Sequence, residues 1–458
     1  MHTSLSSPRP RTPLTTAHRR AAAVGNMSPT VSSPSRFMDA KVATRAAFLG
    51  ISGSSRVEVF VRVRPLSAVE AAEPSSGGMG GGGGSRVRCA EDGCTLSLRD
   101  SRTTESFSFD GVLDEFSTQE TVFARTMSMQ VEQACRGVPS CTFAYGQSGS
   151  GKTHTAFGGV SNANTNTITD ALGLVPRAAV ALFAGLEERY GAGAGALAAR
   201  IGVAATVQRP NVRVSVLAIH NEELTDLLFP GGAPAGCSVS DDPAEPVVLP
   251  FEIAMEFIRV DTAREAAAAA ARAARAERAA ARERDGGRMA SSSLPPMIGL
   301  DEALSATPRT APLGLVDHPV RGTLVLNLVQ IEVTTAAQVT ALVAAADARS
   351  HVADTAMNRS SNRSHRIVTF SAGVLKGSVA EGGVTLEHLA DLRVVDLAGS
   401  EDTNRSQATG STKQEAGNIN KSLLALGRVI SALASGSPHI PYRESKLTRL
   451  LSEALGGV

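Results

Sequence analysis

The stretch that most constrains the fold of this chain is Gly146–Thr153, which reads GQSGSGKT. It fits the pattern of a glycine, four residues and then Gly-Lys-Thr, and it follows a short apolar run, Ser140–Tyr145, that predicts a buried strand. A loop of small residues between a strand and a helix turns several backbone N–H groups toward one point, and that point suits a polyphosphate. The alternative is a flexible glycine turn with a chance lysine, which the preceding strand disfavours. The motif therefore predicts a chain that binds a nucleoside triphosphate.

The residues of this loop have distinct predicted roles. Lys152 brings a positive charge to the β- and γ-phosphates, and the Thr153 hydroxyl is placed to ligate Mg²⁺. The candidate nucleotide-binding residues of the loop are Gly146, Gln147, Ser148, Gly149, Ser150, Gly151, Lys152 and Thr153.

Charge, cysteine content and hydropathy indicate whether nucleic acid, a membrane, disulfides or zinc should be expected. The formal net charge is +1 over 458 residues, so charge gives no global argument for binding nucleic acid or a membrane. The five cysteines are odd in number and lack paired CxxC spacing, which argues against a disulfide framework and a zinc site. We therefore expect reduced thiols in a cytosolic protein. The sequence has no run of eighteen or more apolar residues, so no membrane-spanning helix is predicted.

The sequence predicts an extension followed by one elaborated domain. Residues 1–55 are rich in Ser, Pro, Thr and Arg and show no hydrophobic period, so we expect them to be disordered. The alternative is an organelle transit peptide, which the proline content opposes. The domain, residues 56–458, contains an insertion at about 229–321. Its helical piece, Ala263–Arg284, has almost no apolar face larger than alanine, so we expect it to be exposed.

Strands alternate with helices along the domain. The predicted strand segments are Val57–Val63, Arg86–Cys89, Thr95–Leu98, Ser140–Tyr145, Asn211–His220, Glu222–Leu228, Thr323–Leu328, Arg366–Val374 and Leu392–Leu397. The predicted helices are Thr118–Ala134, Leu172–Leu186, Ala336–Asp347, Asn420–Ala434 and Tyr442–Ala454. This alternation around a P-loop predicts an α/β fold, a P-loop NTPase with a mostly parallel central sheet and helices on both faces.

Two further segments have the form of γ-phosphate sensors. Sensing requires a carboxylate that faces Mg²⁺ at a second strand end, and a glycine whose N–H meets the phosphate. Asp396–Glu401, reading DLAGSE, has that form at the end of a predicted buried strand. Asn358–His365, reading NRSSNRSH, clusters hydroxyls and amides that can order around Mg²⁺ and an attacking water. Taken alone, each segment also fits an ordinary polar loop.

These segments together resemble the motor domain of kinesins. The most specific matches are NINKSLLALG, which begins at Asn418, and IPYRESKLTRLL, which begins at Ile440. AYGQSGSGKTHT, NRSSNRSH and DLAGSE accompany them, with shorter matches at Arg62–Pro65 (RVRP), Phe107–Val112 (FSFDGV) and Ile219–Leu228 (IHNEELTDLL). The resemblance extends from Val57 to the last residue.

The resemblance implies ATP hydrolysis coupled to movement on microtubules, with ATP and Mg²⁺ as ligands. It places Arg62, Arg64 and Pro65 beside the adenine and stacks His154 on it.

The resemblance also implies the residues that carry out hydrolysis. Asp396 would hold Mg²⁺ through water, and the Gly399 N–H would meet the γ-phosphate. Ser361 would help to position the lytic water, while Arg363 and Glu401 would form an ion pair that closes the site. Such catalysis depends on positioning and charge stabilisation.

The predicted microtubule surface lies near the end of the sequence. The helix that begins near Asn418 would carry the nucleotide signal outward, and Arg405 would be a basic contact to tubulin. Arg443, Lys446 and Arg449, spaced by three, would share one helix face toward the acidic tubulin surface. Without the resemblance, the same spacing describes an ordinary solvated face.

Some positions depart from the kinesin pattern. Asn362 stands where most kinesins have a second serine, and an amide cannot relay a proton as a hydroxyl does, so we expect slow turnover. Asp402 stands at a usually basic position, where it would repel tubulin. The arginines of the insertion either add a salt-dependent tubulin contact or form a solvated spacer. The sequence ends at Val458, before the strand that lies beside the P-loop strand in kinesins, so we expect a fragment.

Two alternatives to a motor remain at this point. One is a nonmotile microtubule-binding protein that holds nucleotide and turns it over poorly, which Asn362, Asp402 and the missing terminal strand favour. The other is a regulatory GTPase. That class reads guanine with an NKxD motif, whereas here Asn420-Lys421 continues as Ser-Leu.

Overall fold

The computed structural model describes most of the predicted domain. The described residues are 57–67, 87–99, 103–159, 171–191, 207–230, 232, 246–263, 312–318, 322–356, 364–378, 383–401 and 411–456. The predictions that lie outside these ranges concern the extension 1–55, the insertion helix beyond residue 263, Ser361, Asn362, Arg363, Asp402 and Arg405.

The described chain forms two compact units, and the first comprises residues 58–117. It contains a parallel pair of strands, β1 (Phe60–Arg62) and β5 (Gly111–Leu113). It also contains an antiparallel sheet of β2 (Val87–Cys89), β3 (Thr95–Arg99) and β4 (Thr104–Ser108). The predicted strands Arg86–Cys89 and Thr95–Leu98 are thereby confirmed, and β1 is the centre of the predicted strand Val57–Val63.

The second unit contains Val57 and the described chain from Thr118 onward, and it is built on a seven-stranded sheet. The strands are β6 (Ser140–Ala144), β7 (Val207–His220), β8 (Glu223–Asp226), β9 (Val247–Pro250), β12 (Val329–Val333), β13 (His365–Ser378) and β14 (Gly383–Asp396). Their order across the sheet is β6, β14, β13, β7, β12, β9, with β8 paired to β7. A separate hairpin is formed by β10 (Gly314–His318) and β11 (Gly322–Leu326).

This sheet is mixed, which corrects the prediction of a mostly parallel sheet, while the α/β P-loop class is confirmed. Of the six strand pairings, four are antiparallel and two are parallel. The reason is that β13 and β14 follow each other through a short connection, and a short connection joins only antiparallel neighbours. One parallel pairing, β6 with β14, brings together the two strands that lead into the predicted nucleotide loops.

Helices cover both faces of the sheet, as predicted. They are α1 (Gln119–Thr126), α2 (Ser128–Cys135), α3 (Lys152–Phe157), α4 (Leu174–Tyr190), α5 (251–263), α6 (Ala336–Ala356), α7 (Ser411–Ala434) and α8 (Lys446–Leu451). Ile367 packs with leucines of α7 and α8, and its neighbour Val368 is also fully buried. Successive strand residues point to opposite faces, so each face has its own core. None of the described helices is long and apolar enough to cross a membrane.

Two predicted helices are each divided. The helix predicted over Thr118–Ala134 breaks at Met127, whose backbone leaves helical geometry (φ −136°, ψ −17°) while its side chain is buried. The helix predicted over Tyr442–Ala454 is a 3₁₀ turn, Tyr442–Glu444, followed by α8. Ser445 separates the two because its hydroxyl accepts the Thr448 N–H at 3.1 Å and caps α8.

Other differences lie around the insertion. The predicted strand Thr323–Leu328 corresponds to β11 but ends earlier, at Leu326, because Asn327 has a left-handed φ of 61°, and a second strand, β12, begins at Val329. Apart from the helical piece Ala263–Arg284, no strand or helix was predicted within the insertion, but β9, α5 and β10 lie there. These strands are only four or five residues long, too short for a clear alternation of apolar and polar residues.

Candidate nucleotide site

The predicted phosphate-binding loop lies between a strand and a helix, as expected. β6 ends at Ala144 and α3 begins at Lys152. Gly149 and Gly151 have φ values of 77° and 94°, in the left-handed region that favours glycine. The small residues of the motif therefore permit the backbone path that the loop takes.

Lys152 lies across this loop. Its Nζ donates a hydrogen bond to the Gln147 carbonyl at 3.0 Å. Burial lowers the pKa of Lys152, and the nearby carboxylates of Asp396 and Glu401 oppose that effect. The lysine thus lies with the loop backbone and two acidic groups, and its contact with the β- and γ-phosphates stays a prediction.

Asp396 lies directly beside the loop. The β6–β14 register pairs Asp396 with Ala144, and the Thr153 hydroxyl donates to Asp396 Oδ2 at 2.6 Å. The Asp396 residue is only 8% exposed, and its Oδ1 has no hydrogen-bond partner among the described residues. Burial raises the pKa of this carboxyl group, and the Thr153 hydrogen bond opposes the effect. A buried carboxylate oxygen of this kind, next to a threonine hydroxyl, fits the donor set expected around Mg²⁺.

Glu401 connects the DLAGSE loop to the P-loop. Its Oε2 accepts the Ser148 N–H at 2.9 Å, and its Oε1 accepts the Ser148 hydroxyl at 2.5 Å. Burial works against ionisation of Glu401, but these two hydrogen bonds outweigh it and lower the pKa. A Cβ at position 399 would lie 2.5 Å from Ser148 Oγ and also too close to the Glu401 carboxylate, so a side chain there would displace this hydrogen-bonded pair.

Backbone hydrogen bonds fix the two loops to each other. The Leu397 N–H donates to the Ala144 carbonyl at 3.2 Å, and the Ser400 N–H donates to the Gly146 carbonyl at 3.1 Å. The structure therefore brings Lys152, Thr153, Asp396 and Glu401 into one site. Their roles toward ATP and Mg²⁺ stay predictions.

Gln119 is a contact of this site that the sequence analysis missed. It is buried at the start of α1, and its amide donates to the His154 carbonyl at 2.7 Å and lies 3.2 Å from His154 Nδ1. Gln119 thus fixes the position of His154, the residue predicted to stack on adenine. The two residues are 35 positions apart, and nothing in the sequence pattern connects them.

The other predicted adenine residues belong to the first unit. Arg62 is the last residue of β1, and its guanidinium donates to the Ser117 carbonyl at 3.5 Å. Arg64 and Pro65 follow the strand and are exposed. Their contact with a nucleotide stays a prediction, as do the roles of Ser361, Arg363 and Arg405.

The three basic residues predicted to face tubulin do not lie on one face of a single helix. Arg443 lies in the 3₁₀ turn, whereas Lys446 and Arg449 lie in α8. Asp317 of β10, which the sequence analysis did not single out, forms ion pairs with Arg443 at 3.2 Å and with Arg449 at 3.0 Å. Burial works against ionisation of Asp317, but the hydrogen bond and charge of Arg449, the Thr323 hydrogen bond and the charge of Arg443 together outweigh it and lower the pKa of Asp317.

Comparison with known proteins identifies the family. A family model of the kinesin motor domain matches residues 62–284 and 300–458. The chain belongs to the kinesin motor domain family. Among its kinesin relatives is the kinesin-like protein KIN-5A of Arabidopsis thaliana, 30% identical over 88% of this chain and 30% of that protein. The kinesin-like protein KIP1 of Saccharomyces cerevisiae is 30% identical over 99% of this chain and 34% of that protein.

A solved kinesin structure shares the fold. It is described as the structure of a fast kinesin, with implications for the ATPase mechanism and interactions with microtubules, and it matches with a TM-score of 0.55 at 26% identity. The match covers 88% of this chain and 82% of that structure. The chain spans about a third of the length of the curated kinesins KIN-5A and KIP1.

Proposed function

We propose that this chain is the ATP-hydrolysing part of a microtubule-based motor in the cytoplasm, and that its nucleotide state controls its affinity for microtubules. The observation that carries the proposal is the meeting of the P-loop with Asp396, through the 2.6 Å hydrogen bond from Thr153. Membership in the kinesin motor domain family supports ATP as the nucleotide and tubulin as the partner.

The residues of the site supply positioning and charge. Lys152 would contact the β- and γ-phosphates, and the N–H groups of the loop would donate hydrogen bonds to the phosphate oxygens. Thr153 and Asp396 would hold Mg²⁺, directly and through water respectively. Bound Mg²⁺ would neutralise the negative charge on the phosphates during transfer. Glu401 connects the DLAGSE loop to Ser148 of the P-loop through two hydrogen bonds, so a displacement of either loop would displace the other or break these bonds.

A turnover assay with purified chain tests this function. We expect ATP hydrolysis to be slow alone and to rise severalfold when polymerised tubulin is added. Flat turnover, with the chain still pelleting with microtubules, would support the nonmotile binder. Turnover of GTP in preference to ATP would contradict the proposal and favour the regulatory GTPase.

We expect Asp317→Asn to strengthen microtubule binding. Asp317 forms ion pairs with Arg449 and with Arg443, whose side chain is 85% exposed. Without the Asp317 charge, both arginines can pair with acidic groups of tubulin instead. Each exposed charge pair is worth up to about 1 kcal/mol, so the dissociation constant should fall by about three- to tenfold at low salt. Co-sedimentation at several salt concentrations measures the effect, which should shrink as salt rises.

Glu188→Gln is the matched control for this prediction, because Glu188 is an exposed acid on α4 and its loss changes the net charge by the same amount. We expect no change in microtubule affinity for this variant. Weaker binding by Asp317→Asn would show instead that Asp317 orients the arginines for tubulin.

A further inference from the structure

His365 lies between the nucleotide loops and helix α7. It is the first residue of β13 and is 2% exposed. It is the last residue of the NRSSNRSH segment, in which roles are predicted for Ser361 and Arg363 but not for His365, and its ring is hydrogen-bonded to the backbone of Ala398 in the DLAGSE loop and to Ser422 of α7. Its two ring nitrogens contact two different segments.

The hydrogen bonds of His365 define its protonation. The Ala398 N–H lies 3.0 Å from Nδ1 and can only donate, so Nδ1 must accept and carries no proton. The ring proton is therefore on Nε2, which donates to Ser422 Oγ at 2.7 Å. Burial, together with the nearby charge of His220, lowers the pKa of His365 to about 4, which keeps this neutral form at neutral pH.

Both partners of the ring are buried and belong to segments with a fixed place. Ala398 lies between two residues whose backbones are hydrogen-bonded to the strand and loop before the P-loop lysine. The Leu397 N–H donates to the Ala144 carbonyl, and the Ser400 N–H donates to the Gly146 carbonyl. Ser422 lies in α7, which packs through Leu426 and Val429 into the core shared with α8. A continuous set of hydrogen bonds therefore runs from the P-loop, through the DLAGSE loop and His365, to α7.

We propose that His365 is a positioning residue that transmits the position of the DLAGSE loop to helix α7. The imidazole is a rigid, two-ended group, so a displacement of the Ala398 amide must either move Ser422 or break one of two buried hydrogen bonds. This inference rests on the proposed function, because it names the contact by which a change at the nucleotide would reach the predicted microtubule-facing helix.

Three variants separate the two ends of this contact. His365→Asn keeps an acceptor near the position of Nδ1 and loses the donor to Ser422. His365→Gln can reach Ser422 and loses the acceptor for the Ala398 amide. Ser422→Ala removes only the hydroxyl on α7. Ser435→Ala, just beyond the end of α7 and exposed, is the matched control.

The test measures hydrogen exchange of the α7 amides, residues 411–434, with Mg·ADP and with a non-hydrolysable Mg·ATP analogue. We expect exchange in wild type and in Ser435→Ala to differ between the two nucleotides. The difference should fall by about threefold or more in the three variants, since each loses a hydrogen bond worth about 1 kcal/mol. Affinity for a fluorescent ADP should stay within about threefold, because His365 has no predicted contact with nucleotide.

The outcomes distinguish this inference from the proposed function. If Ser422→Ala keeps the full wild-type exchange difference, or if wild type shows none, His365 does not transmit the signal and the inference is overturned. If exchange responds through His365 but tubulin does not stimulate turnover, the inference stands and the motor proposal fails. Because Ser422→Ala leaves the imidazole ring in place, this variant tests the role of His365 even if the His365 variants fold poorly.

Discussion

Replacing Lys152 with alanine should nearly abolish ATP turnover, with a loss on the order of 10²–10³-fold in kcat, the usual cost of removing one preorganised charge-stabilising donor. Lys152 lies across the P-loop, and its Nζ donates a hydrogen bond to the Gln147 carbonyl. The nearby carboxylates of Asp396 and Glu401 favour its charged form. Alanine removes the cation predicted to contact the β- and γ-phosphates. Phosphate release at saturating ATP, with and without microtubules, measures the effect.

Lys376→Ala is the control for this lysine. Lys376 forms an exposed ion pair with Glu387 on the β13–β14 hairpin. It lies ten residues beyond Arg366, the β13 residue opposite Asp396, which corresponds to roughly 33 Å along the strand. We expect unchanged turnover and at most about 1 kcal/mol of lost stability. A Lys152→Ala enzyme that turns over within tenfold of wild type would contradict the assigned site.

Asp396→Asn should also remove most turnover, while leaving the fold at least as stable as before. The Asp396 carboxylate has a pKa raised by burial, so its ionised form is disfavoured in the folded state. A carboxyl group with a raised folded pKa contributes stability at low pH that is lost as pH rises through that pKa. Asparagine removes the buried charge and keeps the shape. Turnover as a function of Mg²⁺ concentration and urea unfolding at pH 7 measure the two effects.

Asp391→Asn, five residues earlier on β14, should lower the stability of the fold and leave turnover unchanged. Burial opposes ionisation of Asp391, but the charge of Arg393 and the hydrogen bonds from His388 and Ser371 outweigh it and lower the pKa. Breaking the buried pair with Arg393 should cost about 3 kcal/mol of stability and leave turnover per folded molecule unchanged.

The pH dependence provides a second measurement for this pair of variants. A carboxyl group with a lowered folded pKa contributes stability above its unfolded pKa of about 4, and that stability is lost as pH falls. Wild type should therefore lose more stability than Asp391→Asn as the pH is lowered below about 4. If Asp391→Asn reduced turnover as strongly as Asp396→Asn, a purely structural role for Asp391 would be contradicted.

The sequence predicted those parts of the site that depend on short-range pattern. Lys152 and Thr153 occupy the positions that their motif indicates, and Asp396 ends a buried strand as expected. The strand direction was predicted less well, because a run such as Leu392–Leu397 shows only that a strand is buried. Whether the neighbouring strand is parallel depends on the connection, and the long β13–β14 hairpin makes much of the sheet antiparallel.

Contacts between distant segments were not predictable from one sequence. Gln119 follows a helix cap, and its hydrogen bonds to His154 depend on how α1 packs against the P-loop helix. Asp317 lies on a five-residue strand inside the insertion, where no motif marks it. His365 belongs to a segment that the sequence analysis did identify, but its two partners, Ala398 and Ser422, become visible only in the folded chain.

The long hairpin of β13 and β14 also offers a place to attach a reporter. Its register shifts at Ala372 and Gly373, where a bulge separates the tip of the hairpin from the regular pairing that ends at Arg366 and Asp396. The start of β14 at Gly383 lies thirteen residues from Asp396, roughly 40 Å along the strand. A fluorophore or a surface tether introduced there would leave the phosphate loops in register, so that single molecules could be followed while they turn over nucleotide.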